Sequence, residues 1–445
     1  MKLSLIRSFA VTLVCFAGAA VGVAQDDWPD FRGPDGQGHA TSKGLPTNWS
    51  DTENVVWRQA VPGHGWSSPV VVGGRIFLTS AVPLPNQPPH ASSNAPDAAA
   101  AAEKAAADKA ADNAGPDLSL RALAFDAASG KPLWDVELFV QQAAKAPKIH
   151  GKNSHASPTP VVQEGRLYVH FGHQGTACLD LDGKILWRNQ ELGYAPVHGN
   201  GGTPAIVAGK LVFSCDGAAD PFIVALDLKT GKVVWKVNRT GNAPRKFSFS
   251  TPLVIDVEGR QQIISPGSNS VSALDPADGK EIWRVNYEGY SVIPRPVYGG
   301  GLLFIGTGYD TPSVLAIRPT GTGDVTDTHV AWTLKKAAPH TPSLLLVGDE
   351  LYMVSDRGVA TCVEAQTGKE IWQERLGGNF SASPLYADGK IYFPAEGGEA
   401  TVIKAGREFV SLAKNRLPER VFASYAVTGQ SLIIRSEGFL YRIKP

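Results

Sequence analysis

The chain has 445 residues, of which 43% are hydrophobic and 19% are charged. Its 42 Lys and Arg residues balance its 42 Asp and Glu residues, which argues against a nucleic-acid-binding surface. The abundance of Gly (47) and Pro (32) is typical of many short strands joined by tight turns. This length predicts two or three domains unless the sequence repeats internally, because a closed array of repeats behaves as a single domain.

Residues 1–24 have the pattern of a signal peptide. Lys2 and Arg7 precede an apolar run from Phe9 to Ala24 that ends in small residues. The run is short for a membrane-spanning helix. We therefore expect cleavage before Gln25, no integral membrane span afterwards, and a bacterial extracytoplasmic location, either periplasmic or secreted. An uncleaved membrane anchor is the alternative.

One sequence unit recurs along the rest of the chain. It contains a Ser/Thr-Pro pair, two hydrophobic strands separated by a Gly-containing turn, and the closing pattern [AC]-[LV]-[DE]-x-x-[TD]-G-K-x-x-W. A period in the mid-forties with three or four short strands predicts a β-propeller. The Pro recurs at Pro69, Pro160, Pro204, Pro252, Pro296, Pro342 and Pro384, and the Trp at Trp134, Trp187, Trp235, Trp283, Trp332 and Trp372.

The closing Trp residues are predicted to be structural. A large flat side chain on the outermost strand of a blade can pack against the neighbouring blade and bury about 200 Å². Cys178 and Cys362 occupy a position that is Ala in most units. Together with Cys215 they match no disulfide or zinc spacing, so we expect small buried strand residues.

Eight blades are expected. Six units end in Trp, a seventh has Leu412 near the Trp position, and the last stretch supplies only three strands. Upstream of the first unit, Val55-Val56-Trp57 has the pattern of a missing fourth strand. We predict that it pairs with the strand around residues 440–443 and closes an all-β, eight-bladed propeller over residues 54–445, leaving no open edge between the chain ends.

Two segments do not follow the repeat. Residues 25–53 form an N-terminal extension between the signal peptide and the propeller. Residues 81–118 are rich in Pro and Asn and then in Ala, which is a low-complexity composition. We predict that they form an insertion between the second and third strands of blade one, where extra loop length costs little free energy.

The repeats resemble those of the pyrroloquinoline-quinone (PQQ) family. The similarity rests on ALDLKTGKVVW (225–235), ALDPADGKEIW (273–283) and VEAQTGKEIW (363–372). The head segment DWPDFRGPDGQG (27–38) is similar to the opening of exported proteins called PQQ-binding-like β-propeller repeat proteins. These are related in fold to the propeller lipoprotein of the outer-membrane assembly machine, whose lipidation signal this chain lacks.

The resemblance does not imply quinone chemistry. Quinoprotein dehydrogenases use a catalytic Asp, calcium-binding Glu and Asn residues, a Trp platform and a vicinal disulfide, whereas no two cysteines are adjacent here. Fold alone does not carry function over. We expect no cofactor, with PQQ as an unsupported alternative, and no His pair has a metal-binding spacing.

One face of the propeller collects the unusual residues. The loops from each fourth strand to the next first strand share this face with the turns between second and third strands. Seven of the ten His residues fall there: His64, His90, His150, His155, His173, His198 and His340. We predict a polar site at the channel mouth for an anionic or polyhydroxylated ligand, formed by His155, His173, His198, Asp216, Arg295, Tyr309, His340 and Arg357.

These side chains have an alternative role, which is to satisfy buried loop backbone near the axis. The sequence therefore favours an exported, non-catalytic binding or scaffolding propeller. Its partner would be an envelope protein or a small polar ligand. The alternative is a PQQ- or metal-dependent oxidoreductase, and the sequence does not decide whether any catalysis occurs.

Overall fold

A computed structural model of the protein describes residues 27–85, 116–241 and 243–445. Its strands form eight sheets arranged as the blades of a β-propeller, so the predicted fold is confirmed. The predicted signal peptide lies outside the described residues. Within the described part of the chain, no helix is both long enough and apolar enough to cross a membrane.

Two strands precede the blades, β1 (His39–Ala40) and β2 (Val55–Ala60). Blades one to four contain, in order, β3 (Val70–Val72), β4 (Arg75–Pro83), β5 (Leu118–Asp126) and β6 (Pro132–Gln141); β7 (Val161–Gln163), β8 (Arg166–His170), β9 (Thr176–Asp180) and β10 (Ile185–Asn189); β11 (Ala205–Val207), β12 (Lys210–Cys215), β13 (Phe222–Asp227) and β14 (Val233–Asn238); and β15 (Leu253–Val257), β16 (Arg260–Gly267), β17 (Ser270–Leu274) and β18 (Glu281–Asn286).

Blades five to eight contain β19 (Val297–Gly299), β20 (Leu302–Gly306), β21 (Val314–Ile317) and β23 (Val330–Leu334); β24 (Leu345–Val347), β25 (Glu350–Val354), β26 (Val359–Glu364) and β27 (Glu370–Arg375); β28 (Leu385–Ala387), β29 (Lys390–Pro394), β30 (Glu399–Lys404) and β31 (Val410–Arg416); and β32 (Ala426–Thr428), β33 (Ser431–Arg435) and β34 (Phe439–Ile443). Short elements are β22 (Gly323–Asp324), which pairs with β18, the helix α1 (Thr326–His329), and two 3₁₀ turns, Ala143–Lys145 and Gly172–Gln174.

The ring closes as predicted. Strand β2 pairs antiparallel with β34 and becomes the outer strand of blade eight. In each blade the first strand lines the axis and the fourth forms the rim. The two middle strands, buried on both faces, are almost continuously apolar, whereas β2 alternates between half-buried and exposed residues.

The predicted packing of the repeat Trp residues between blades is confirmed. The indole N–H of Trp187 donates to the carbonyl of Leu228 in the next blade at 3.0 Å, and Trp134, Trp235, Trp332 and Trp372 make the same contact one blade along. Trp283 differs. It donates to Gln262 of its own blade, and Gln262 in turn donates to the carbonyl of Pro319 in blade five.

The seventh blade lacks a Trp because another part of the chain fills the space. Ala413 of β31 holds the position opposite Val402 that Trp holds in other blades, so the counterpart of Trp is Ala413 and not Leu412. Trp49 of the N-terminal extension lies beside it, stacked on Tyr392 with a centroid distance of 6.3 Å. It also makes an edge contact with Tyr425 of blade eight.

A circle of hydroxyl groups joins the first strands around the axis. In every blade except blade four, the backbone N–H just before the first strand donates to the Ser or Thr side chain at the same position of the next blade, at 2.9 to 3.1 Å. We call this set the hydroxyl circle: Ser68, Thr159, Thr203, Thr251, Ser343, Ser383 and Ser424. Blade five places Arg295 at this position, so the circle has seven hydroxyl members. The prediction that Pro342 is the Pro of the repeat was wrong. Leu344 has that position, directly before β24.

Residues 28–40 run through the axial channel. Trp28 pairs with Val71 of blade one, and Pro29 accepts a hydrogen bond from Val162 of blade two. The segment then contacts the first strands of blades five and six, and β1 pairs parallel with β28 of blade seven. The N-terminal extension therefore fills the channel, a role that the sequence did not indicate.

The insertion lies between the second and third strands of blade one, as predicted. Its predicted bounds were too wide, because β4 continues to Pro83 and β5 begins at Leu118. Residues 86–115 lie outside the described part of the chain.

Trp57 makes the closing contact between blades eight and one. The indole N–H of Trp57 donates to the carbonyl of Ala127. The ring also packs against Gly130, whose φ is 74°, so closely that a Cβ atom at this position would lie 2.7 Å from the indole. Because Trp57→Ala removes this packing, we expect a loss of about 3 kcal/mol and a melting temperature lower by several degrees in a circular dichroism melt. The control is Val56→Ala on the same strand, whose side chain is exposed. Equal melting temperatures for the two variants would contradict this account of closure.

Candidate functional site

One face of the propeller carries the loops between blades and the turns between the second and third strands, and we call it the loop face. It is separate from the axial channel. Arg295, predicted to line the channel mouth, is buried and bound to residues 28–40. Its guanidinium donates to the Phe31 carbonyl at 2.6 Å and pairs with the Asp30 carboxylate at 3.2 Å. Burial raises the pKa of Asp30, and the charge of Arg295 opposes that rise. This placement favours the structural alternative for Arg295.

Arg32 follows in the same segment and is also buried. One of its guanidinium nitrogens donates to the Leu344 carbonyl at 2.6 Å. Burial, together with the neighbouring charge of Arg295, lowers the pKa of Arg32 to about 9. The channel therefore holds two arginines whose contacts are with the chain itself.

Asp216 is also engaged internally. Its carboxylate receives two hydrogen bonds from Arg239, at 2.7 and 2.9 Å, and both side chains are buried. Asp216 borders a cavity of about 10 Å³ between the loops of blades two to four, which is room for a single water molecule. Asp216 therefore neutralises Arg239.

His155 and His173 lie in two loops of blade two, the first before β7 and the second after β8. Burial lowers the pKa of each, and the charge of His155 lowers that of His173 further. The ring of His173 is hydrogen-bonded to Asn200 at 3.2 Å and to Gln174 at 2.8 Å. These imidazoles are therefore favoured in their neutral form.

His198, Tyr309 and His340 belong to a different group of side chains. They are part of a continuous row of rings across the loops of blades two to six, which we call the aromatic arc: His150, His198, Phe247, Tyr290, Tyr309 and His340. Neighbouring ring centroids are 5.2 to 6.0 Å apart. Sequence reasoning missed Phe247 and Tyr290 because it searched for polar side chains. Phe247 lies four positions before Thr251, and Tyr290 lies five positions before Arg295, which has the hydroxyl-circle position in blade five. This recurring spacing would have identified both aromatic residues.

Arg357 is exposed on the same face, in the turn after β25. The loop before blade two crosses this face, where Lys152 pairs with Glu396 of blade seven at 2.7 Å.

The eight predicted residues thus do not line one pocket. Two form internal ion pairs, two are imidazoles whose pKa is lowered by burial, three join the aromatic arc, and Arg357 is exposed in its own turn. His90 lies outside the described residues.

The residues present do not fit PQQ at the axis. A planar, carboxylated cofactor needs an open cavity, whereas residues 28–40 occupy the channel and Asp30 already pairs with Arg295. In the described ranges, no three His, Cys, Asp or Glu side chains are arranged to hold a metal ion. Cys178, Cys215 and Cys362 are buried and unpaired, as predicted.

Comparison with known families gives one strong match. The sequence profile of the family described as outer membrane protein assembly factor BamB matches residues 118–264 and 267–408, more than half of the chain. None of the curated proteins compared with the chain matches it significantly.

Solved structures with the same fold differ in what they do. BamB from Moraxella catarrhalis is 12% identical with a TM-score of 0.57, covering 88% of this chain and 97% of its own. A europium-containing methanol dehydrogenase is 11% identical with a TM-score of 0.61, covering 93% and 90%. The computationally designed Ika8 protein is 12% identical with a TM-score of 0.51, covering 74% and 93%. At these identities the likeness establishes the fold alone.

Buried His170 gives the protein a measurable pH dependence. Its ring bonds to the Thr176 hydroxyl at 2.9 Å, and burial lowers its pKa to about 3. An unfolded His has a pKa of about 6.5, so below that pH the unfolded chain binds a proton that the folded chain does not. Stability should therefore fall as the pH drops from about 6.5, by up to about 1.4 kcal/mol per pH unit for this group.

Between pH 7 and pH 5, the melting temperature of the His170→Gln variant should fall less than that of the wild type. His150→Gln is the matched control, because His150 is exposed and should leave the wild-type slope unchanged. If His170→Gln lost stability as steeply as the wild type on acidification, the burial argument would be refuted.

Proposed function

The chain belongs to the outer membrane protein assembly factor BamB family, and from this membership we propose that it is an exported, non-catalytic β-propeller that acts as a binding or scaffolding module outside the cytoplasm. Its binding surface is the loop face. The observation that carries this proposal is the filled channel. Residues 28–40 occupy the axis, where Arg32 donates to the Leu344 carbonyl and Phe31 accepts a hydrogen bond from Arg295. A partner therefore binds to the outer surface of the protein.

The construction of the loop face supports a binding role. Loops from neighbouring blades are hydrogen-bonded to one another, as between His150 and His198 and between Tyr290 and Tyr309. A surface held rigid in this way loses little conformational entropy when a partner binds. Binding and catalytic residues are often carried by such loops on a rigid scaffold. A PQQ- or metal-dependent oxidoreductase gains no comparable support from the described residues.

Site-specific cross-linking tests this proposal. The three cysteines of the described chain are buried, and burial raises the pKa of Cys178 to about 11 and that of Cys362 to about 12. They therefore react slowly with maleimides. A photoactivatable maleimide can be attached at Arg357→Cys on the loop face or at Lys369→Cys on the opposite face of the same blade, since both side chains are exposed.

After incubation with envelope extract of the native host and irradiation, the label at position 357 should give a discrete cross-linked product. The label at position 369 should give none. Products at both positions, or at position 369 alone, would contradict a binding role of the loop face. Circular dichroism melts of both labelled proteins check that the fold is intact.

A further inference from the structure

We propose that the aromatic arc binds a neutral oligosaccharide, an inference that rests on the binding role proposed above and names its ligand. The rings of the arc are all exposed or half-buried. Tyr309 is 54% exposed, His198 is exposed, and Phe247, Tyr290 and His340 are half-buried. Five consecutive ring contacts give the row an extended shape, which fits a chain-like ligand better than a compact one.

The backbone of the arc is fixed from loop to loop. The N–H of His150 donates to the carbonyl of His198, that of Ser291 to Phe247, and that of Tyr309 to Tyr290. These bonds occupy three N–H and three carbonyl groups along the arc, which are therefore not free to pair with an added peptide strand. Recognition at the arc therefore depends on side chains, which argues against binding of an extended peptide by strand addition.

The charges that contact the rings are balanced. Arg245 lies over the ring of Tyr290 at 4.3 Å and faces Asp310 at 3.4 Å. Asp356 lies 3.4 Å from the ring nitrogen of His340 and also accepts a hydrogen bond from the backbone of His340. A surface with opposed charges has no attraction for a polyanion, which needs an excess of cations. The ligand that fits is uncharged.

The chemistry of a pyranose chain matches such a surface. The faces of aromatic rings carry negative partial charge and attract polarised C–H groups, which the flat side of a sugar ring presents. Hydroxyl groups at the sugar edges need polar partners of mixed donor and acceptor character. The Tyr309 hydroxyl and the His198 ring nitrogens make no hydrogen bond within the described residues, and the Arg245–Asp310 ion pair lies against the neighbouring ring of Tyr290.

Isothermal titration of the intact protein with three neutral hexasaccharides tests the inference: cellohexaose, chitohexaose and laminarihexaose. At least one should bind, and Tyr309→Ala should weaken it about tenfold or more, because a stacked ring is lost. Tyr309→Phe keeps the ring and should have a smaller effect. Leu412→Ala, an exposed apolar side chain on the rim of blade seven, is the matched control and should bind as the wild type does.

Three results would overturn the inference: no binding of any of the three, wild-type affinity in Tyr309→Ala, or tighter binding of hexagalacturonate, an acidic hexasaccharide. The cross-linking experiment separates this failure from that of the proposed function. If position 357 still gives its specific product while no hexasaccharide binds, only the oligosaccharide assignment fails.

Discussion

The hydroxyl circle is the contact on which the rest of the propeller depends. Seven buried N–H groups, one just before each first strand except in blade four, donate to a Ser or Thr hydroxyl of the next blade. A buried donor without a partner costs about 1–3 kcal/mol. The bonds therefore hold neighbouring first strands at a common height. The circle is interrupted after Thr251, because the next blade has Arg295 in place of Ser or Thr. The Arg295 guanidinium binds Asp30 and Phe31.

Residues 28–60, which comprise the described part of the N-terminal extension and β2, complete the ring at three levels. Residues 28–40 fill the axis, Trp49 fills the gap beside Ala413 between blades seven and eight, and β2 supplies the outer strand of blade eight. Each contact joins the beginning of the chain to blades formed by its end. Because residues 28–40 fill the axis, the proposed binding role falls to the outer surface of the propeller.

The periodic features of this protein could be predicted from the sequence. The blade count, the closing strand and the packing of Trp57 follow from a repeat that each blade copies, so one alignment describes them all. The channel segment could not be predicted, because residues 28–40 have no repeat to compare with and their contacts lie in five different blades. The position of Arg295 was recognised, but its partner Asp30 is 265 residues away.

The candidate site was predicted only in part, for a similar reason. Choosing polar residues in loops found His198, Tyr309 and His340, but it grouped them with Asp216, whose charge is neutralised by Arg239. Whether a loop carboxylate faces solvent or a buried guanidinium depends on packing that spacing does not reveal. Phe247 was overlooked because only polar loop residues were considered, although its position four residues before Thr251 is repeated, at a spacing of five, by Tyr290 before Arg295.

Hydrogen–deuterium exchange with peptide-level mass spectrometry tests the filled channel most directly. If residues 28–40 occupy the axis, the amides of Trp28, Gly33, Gly36 and Gly38 should exchange as slowly as the seven N–H groups that donate in the hydroxyl circle, since these groups are buried and hydrogen-bonded. Residues 51–53, which are exposed, provide a fast-exchanging internal reference. Exchange of residues 28–40 at the rate of residues 51–53 would show that the channel is open and would contradict the account.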